Sequence, residues 1–233
     1  MRKGGGEYGV RRLSVNRRLP TEVAQRLAQQ SERSGINWPD LLVALSAVWL
    51  FQVMPRQARQ GDALPMWMPA MNRRGQAATN VPSLAVNTLP LLVSPSPMET
   101  LGSFLTTLTQ QLRELRSHAG YRLRQLAADR GVDPNSRFFI SPFINVQPFD
   151  APRFVGCRGA RRVLAGGSGD GFNLTYRGRT DARDLQVDID IYLEQFPTED
   201  ALDYGEALQE FLLRALQREA WEQPLAALTA LPA

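Results

Sequence analysis

At 233 residues, 43% hydrophobic and 21% charged, the chain can bury one large core or two small ones, and its composition excludes disorder, collagen and low complexity as descriptions of the whole. The single cysteine, Cys157, forbids an internal disulfide, and with His118 the only histidine no Cys/His zinc cage can be assembled. Net charge is +4, and 26 of the 27 basic residues are arginine, which favours an acidic partner; the arginines are scattered, with no aromatic-interleaved ribbon of the kind nucleic acid selects.

No apolar run follows the basic residues of MRKGGGEYGV, so a secretory signal is not expected and a cytoplasmic location is. Residues 1–9, with Gly4 to Gly6, read as a flexible segment. Val10 to Leu19 reads as an edge strand whose Arg11, Arg12, Arg17 and Arg18 discourage edge-to-edge pairing. Pro20 and Thr21 open a helix with Val23, Ala24, Leu27 and Ala28 on one stripe, and Gly35 closes it. Asn37 caps the next helix, with Asp40 in capping-box position. From Leu41 to Met54 only Ser46 and Gln52 are polar, so this helix is predicted to be buried all round. It is shorter than the roughly 20 residues that span a bilayer, and no membrane partner is expected.

Ala63 to Val93 holds two apolar β-type runs, ALPMWMP and LAVNTLPLLV, joined by a long polar loop. Ser96-Pro97-Met98-Glu99 has the composition of a helix start, and Leu101, Phe104, Leu105, Leu108, Leu112 and Leu115 carry that helix to about Ser117. A shorter helix runs from Tyr121 to Arg130. Four strands are then predicted: Phe138 to Val146, interrupted by Pro142, then Arg161 to Ala165, Phe172 to Tyr176 and Leu185 to Leu193. In the last, Leu185, Val187, Ile189 and Ile191 alternate with Gln186, Asp188 and Asp190, predicting one buried and one wet face. A helix from Thr198 or Glu199 follows, and Trp221 to Ala233 reads as a docking tail or linker. The predicted fold class is α/β, an α+β sandwich with a mixed sheet backed by helices.

The loop between the two apolar strands carries Arg73 and Arg74 beside Gly75, and a loop of that length inside a compact domain is functional or disordered. Asn87 lies within the second strand and Asn145 within FINVQPF; a strand amide facing a core must find partners or cost about 1–3 kcal/mol. Each Asn pairs with backbone, with the other Asn, or with a ligand. Other motifs read as structural. Gly166 to Gly171 lacks the Lys-Ser/Thr of a P-loop. Asp188 and Asp190 read as solvated charges, Cys157 has no helix N-terminus to activate it, and His118 sits at the end of a helix where an imidazolium is favourable.

The succession MPAMNRRG, VPSLAVNTLPL, LRSHAGYRLRQLAAD and SPFINVQPFD, followed by VLAGGSGDGFNLTY and LQVDIDI, resembles the C-terminal half of nonribosomal peptide synthetase condensation domains, the siderophore-synthetase type most of all. The resemblance runs from Val10 to Leu225. It implies a lobe of the CoA-dependent acyltransferase, or chloramphenicol-acetyltransferase-like, fold at residues 10–225, with 226–233 a tail or linker start. It also implies amide-bond formation between substrates carried as thioesters on the phosphopantetheine of acyl or peptidyl carrier proteins, with no cofactor held by this chain. On this likeness Arg73 and Arg74 belong to the floor of the substrate tunnel, and Asn145 and Asn87 face it. Leu174 to Ile191 contains the segment that crosses between lobes.

The family's HHxxxDG signature is absent, since His118 is followed by Ala119. The chain is therefore expected to have no catalytic residue of its own, to be inactive alone, and to need an N-terminal lobe that carries HHxxxDG. An isolated lobe is also expected to self-associate through the surface its partner covers. The alternative is a non-catalytic carrier-binding or scaffold module with the same fold.

Overall fold

The computed structural model describes residues 12–54, 61–72, 86–131, 142–150, 155–157, 171–193 and 198–228. The elements are β1 (Arg12–Arg18), α1 (Thr21–Ser34), α2 (Trp38–Val53), β2 (Leu64–Met71), β3 (Val86–Val93), α3 (Leu101–Ser117), α4 (Leu123–Asp129), β4 (Phe143–Pro148), β5 (Phe172–Gly178), β6 (Gln186–Tyr192) and α5 (Thr198–Ala215). The strands form one six-stranded sheet in the order β1-β6-β5-β4-β2-β3. β4 runs parallel to both β2 and β5, and the remaining pairs are antiparallel. The mixed sheet backed by helices is the predicted class.

Period-2 alternation decides which side chains enter the core. Leu64, Met66 and Met68 of β2, Leu89 and Leu91 of β3, Ile144 of β4, Phe172, Leu174 and Tyr176 of β5 and Val187, Ile189 and Ile191 of β6 join one cluster with α1, α2, α3 and α5. Every residue of α2 from Leu41 to Leu50 is buried, as a helix apolar on all sides requires. Its Trp49 packs on Phe172 and Tyr204 with ring centroids 5.8 and 5.9 Å away. No single helix among the described residues is long and apolar enough to cross a membrane.

Local signals survive where they are self-contained. Gly35 ends α1 at φ 69, a left-handed conformation that glycine adopts at little cost. Asn37 caps α2, accepting from Asp40 N at 3.0 Å, and its amide returns a bond to the Asp40 carboxylate at 2.8 Å. Asp40 is buried, and Arg116 from the last turn of α3 pairs with it through both terminal nitrogens.

The predicted helix start at Ser96 is displaced to Leu101, with Thr100 as the cap. The backbone of residues 97–101 is engaged by the C-terminal tail. Ala226 N donates to Pro97 O at 3.0 Å, Leu225 N to Glu99 O at 2.9 Å and Leu101 N to Gln223 O at 3.0 Å. Thr100 and Pro224 form a β-bridge. Bonds to the tail and bonds within a helix are exclusive uses of the same backbone groups, and here the tail wins. The tail packs as far as Leu228, whose carbonyl accepts from the Gln52 side chain at 2.6 Å.

Asp188 and Asp190 are not solvated charges. Asp188 is 7% exposed and is held by the Arg177 guanidinium and the Asn16 amide. Asp190 accepts from Ser14 at 2.6 Å and pairs with Arg12 at 2.6 Å. The alternation was read correctly, but β1 and β5 supply partners from far away in sequence. Leu174 to Ile191 forms the β5–β6 hairpin inside this sheet, with β4 and β1 on its flanks. The Arg73–Gly75 loop, Phe138 to Ser141, Arg161 to Ala165 and Gly166 to Asp170 lie outside the described residues.

Candidate functional site

Ile144 enters the core, so its neighbour Asn145 projects from the other face of the sheet, which no described helix covers. Asn145 is half-buried, and its amide has no hydrogen-bond partner among the described residues. Register places Thr175 beside it on β5, Asp188 beside Thr175 on β6, and Asn16 beside Asp188 on β1. Asn145, Thr175, Asp188 and Asn16 therefore form one row across four strands. The adjacent row runs Trp67, Phe143, Asn173, Asp190 and Ser14.

Chemistry changes along these rows. At one end Asp188 and Asp190 are carboxylates held in place by arginine and short polar side chains; a buried carboxylate persists only when its desolvation is offset in this way. At the other end Trp67 and Phe143 are apolar. Between them Asn145 and Thr175 are both half-buried, and neither side chain has a hydrogen-bond partner among the described residues. The pair offers amide and hydroxyl donors and acceptors to a ligand laid across β4 and β5. It offers no general acid or base, and the described charged side chains of this face, Arg12, Arg18, Arg177, Asp188 and Asp190, are paired. Among the described residues no group of three or more His, Cys, Asp or Glu side chains is placed to hold a metal.

Asn87 lies on the opposite face. Its register partner is Ala70, on the core-facing side of β2. The Asn87 amide donates to Ala119 O at 2.9 Å and Tyr121 O at 2.7 Å, and its oxygen accepts from Leu123 N at 3.4 Å. It ties the edge strand to the turn between α3 and α4. The two strand asparagines thus part company: one is satisfied by backbone and one is open. His118 is the exposed C-cap of α3, beside the turn that Asn87 holds. Arg73 and Arg74 lie outside the described residues, in the connection whose ends are Met71 and Val86.

Thr175 and the Arg177–Asp188 pair were not singled out from sequence. The outward parity of Thr175 within FNLTY was a usable signal; the approach of Asn16 to Asp188, 172 residues apart, was not.

A family model for the condensation domain matches residues 7–232. The chain belongs to the condensation-domain family. A crystal structure of VibH, a condensation enzyme of a nonribosomal peptide synthetase, matches 93% of this chain at 35% identity with a TM-score of 0.78. This condensation-domain chain covers 52% of VibH, about half its length. A dimodular nonribosomal peptide synthase of Bacillus subtilis is 27% identical over 199 residues, which are 84% of this chain and 8% of that protein. Enterobactin synthase component F of Escherichia coli is 30% identical over 120 residues, 52% of this chain and 9% of that protein. The mixed sheet backed by helices is the fold of the solved condensation domains, within the CoA-dependent acyltransferase class.

Proposed function

We propose that this chain is the C-terminal lobe of a condensation domain and supplies one wall of the channel in which carrier-bound substrates meet. In the proposed reaction the amine of an acceptor attacks the thioester carbonyl of a donor. A C–N bond forms, the C–S bond breaks, and the amine proton passes to the departing thiol. Proton handling would belong to the HHxxxDG signature of the complementary lobe, because this chain carries one histidine, followed by alanine. The contribution of this lobe would be positioning, which serves rate by holding reactants in near-attack geometry.

The observation that carries this reading is the open amide of Asn145 on the outer face of the sheet, beside the equally open Thr175. A half-buried amide with no partner among the described residues is left for water or a ligand to complete. The Arg73–Arg74 loop would form the channel floor. Substrates would arrive on the phosphopantetheine of acyl or peptidyl carrier proteins, with no cofactor bound by this chain. Arg122, Arg124 and Arg130, exposed on and beside α4 with no charge partner among the described residues, are available to an acidic carrier surface.

In a domain reassembled with an HHxxxDG-bearing lobe, Asn145→Ala is expected to lower condensation at least tenfold with the melting temperature nearly unchanged. Turnover equal to wild type would remove Asn145 from the channel. Condensation of thioester-tethered substrates at an ordinary enzymatic rate by the purified chain alone would end the reading as a half-site.

A further inference from the structure

On the helical side of the sheet, the C-terminal end of α2 borders a cavity of about 150 Å³. Its walls include Phe51 and Gln52 of α2, Pro95 and Pro97 ahead of α3, and Leu225 and Ala226 of the tail. Gln52 is the polar side chain among them. Its Nε2 donates to Leu228 O at 2.6 Å, which fixes the amide, because the reversed orientation would set oxygen against oxygen. Gln52 Oε1 is buried and has no hydrogen-bond partner among the described residues. A buried acceptor in that state is destabilising, so the place suits a group that presents an N–H beside an apolar body.

The course of the tail names that group. Leu225 N donates to Glu99 O at 2.9 Å, Ala226 N donates to Pro97 O at 3.0 Å, and Gln52 holds the Leu228 carbonyl, so the tail follows the rim of the cavity. Leu228 has left the preceding 3-10 turn, at φ -99 and ψ 82. Residues 229–233 follow in sequence as Thr-Ala-Leu-Pro-Ala. Thr229, Ala230 and Leu231 carry backbone N–H groups, Pro232 carries none, and Leu231 is the large aliphatic side chain of the five. Leu231 can lie up to about 10 Å from Leu228, whose own anchor Gln52 lines the cavity. A cavity of roughly 150 Å³ takes a benzene ring, so a leucine side chain fits with room.

We propose that this cavity is the seat of Leu231, with an N–H of residues 229–231 completing Gln52 Oε1. The Gln52 amide then grips the tail at two points, through its nitrogen at Leu228 and through its oxygen beyond it. The fold extends past Leu228 to Leu231, and any segment joined after it departs from the helical side of the sheet, away from the row of Asn145 and Thr175. The proposal does not depend on the part this chain plays in condensation.

Maleimide labelling of the full chain tests the seat. Exposed Cys157 is first replaced by serine, and Leu231→Cys and Ala233→Cys are introduced one at a time. Leu231→Cys is expected to label at least tenfold more slowly than Ala233→Cys. Ala226→Phe, which adds a ring to the wall of the same cavity from an exposed position, is expected to restore the faster rate. Equal labelling of the two cysteines overturns the proposal. Slow labelling of Leu231→Cys that Ala226→Phe leaves unchanged seats Leu231 elsewhere and overturns it as well. Protection that grows with chain concentration gives the cavity to a second copy and overturns the occupant named here. Thermal melting supplies a reading that needs neither label nor filler. Leu231→Ala is expected to lower the midpoint by about 2–4 °C, and Ala233→Gly to leave it unchanged; a Leu231→Ala chain as stable as wild type overturns the assignment.

Discussion

The Ser46 hydroxyl of α2 lies 2.8 Å from the Tyr176 hydroxyl of β5, and neither side chain reaches solvent. Ser46 also donates to Leu42 O at 2.7 Å, so within the pair Tyr176 is the donor and Ser46 the acceptor. The bond pins the most buried helix to the middle of the sheet. Ser46→Ala leaves a buried phenol unsatisfied and is expected to destabilise the chain by about 1–3 kcal/mol, whereas Tyr176→Phe, which leaves Ser46 its backbone partner, should cost about 1 kcal/mol. Urea unfolding of both variants ranks them, and the reverse order would show that the pair is not read correctly.

Burial pushes the Tyr176 phenol above its ordinary value of 10.0, with the Ser46 hydrogen bond opposing only in part. The unfolded chain therefore loses this proton first, and the native state binds more protons once pH passes the unfolded value. Stability from this group is fully present below about pH 10 and declines as pH rises beyond it. Tyr176→Phe is expected to flatten the alkaline limb of a stability profile measured between pH 8 and 11. An unchanged slope would mean the phenol titrates normally.

Arg116 brings the last turn of α3 to the capped start of α2. Its removal leaves the Asp40 carboxylate, 3% exposed, with only the Asn37 side-chain amide as a partner among the described residues. Because the Arg116 side chain is 38% exposed, the loss is smaller than for a wholly buried pair, and Arg116→Met is expected to cost about 1–3 kcal/mol. Adding Asp40→Asn to that variant should recover part of the loss, as thermal melting of the single and double variants would reveal; strict additivity would deny the pairing.

Trp38, in the first turn of α2, packs over Gly178 at the end of β5 and donates to Thr180 O at 2.9 Å. A Cβ at residue 178 would lie 3.0 Å from Leu185 Cδ1 and 3.6 Å from the Trp38 ring. Gly178→Val is therefore expected to overpack this corner by about 1–3 kcal/mol and to shift the tryptophan emission. A variant as stable as wild type would show that the corner yields.

Among the elements, those legible from sequence were those whose cause is local. The Asn37 cap, the Gly35 stop, the all-apolar α2 and the alternation of β6 each depend on residues within one or two turns or strand repeats. The start of α3 was misread because Ser96 to Glu99 has the composition of a helix cap, yet these residues form a turn, Glu99 N donating to Ser96 O at 3.1 Å, and the tail takes the Pro97 and Glu99 carbonyls and the Leu101 amide. Asp188 was misread because its partners lie on other strands. For the candidate site, FINVQPF was enough to single out Asn145, and the similar setting of Asn87 drew it into the same group. Only the register with Ala70 shows Asn87 facing the helices.

By itself, then, the sequence determined the class of fold, the succession of the described elements, the family and the lack of a histidine pair, since each follows from composition, short-range order or residue identity. The tertiary structure alone decided which polar side chains are spent on internal partners and which stay open. Those outcomes depend on strand register and chain reversal, and a one-residue slip of register would exchange the two faces of every strand.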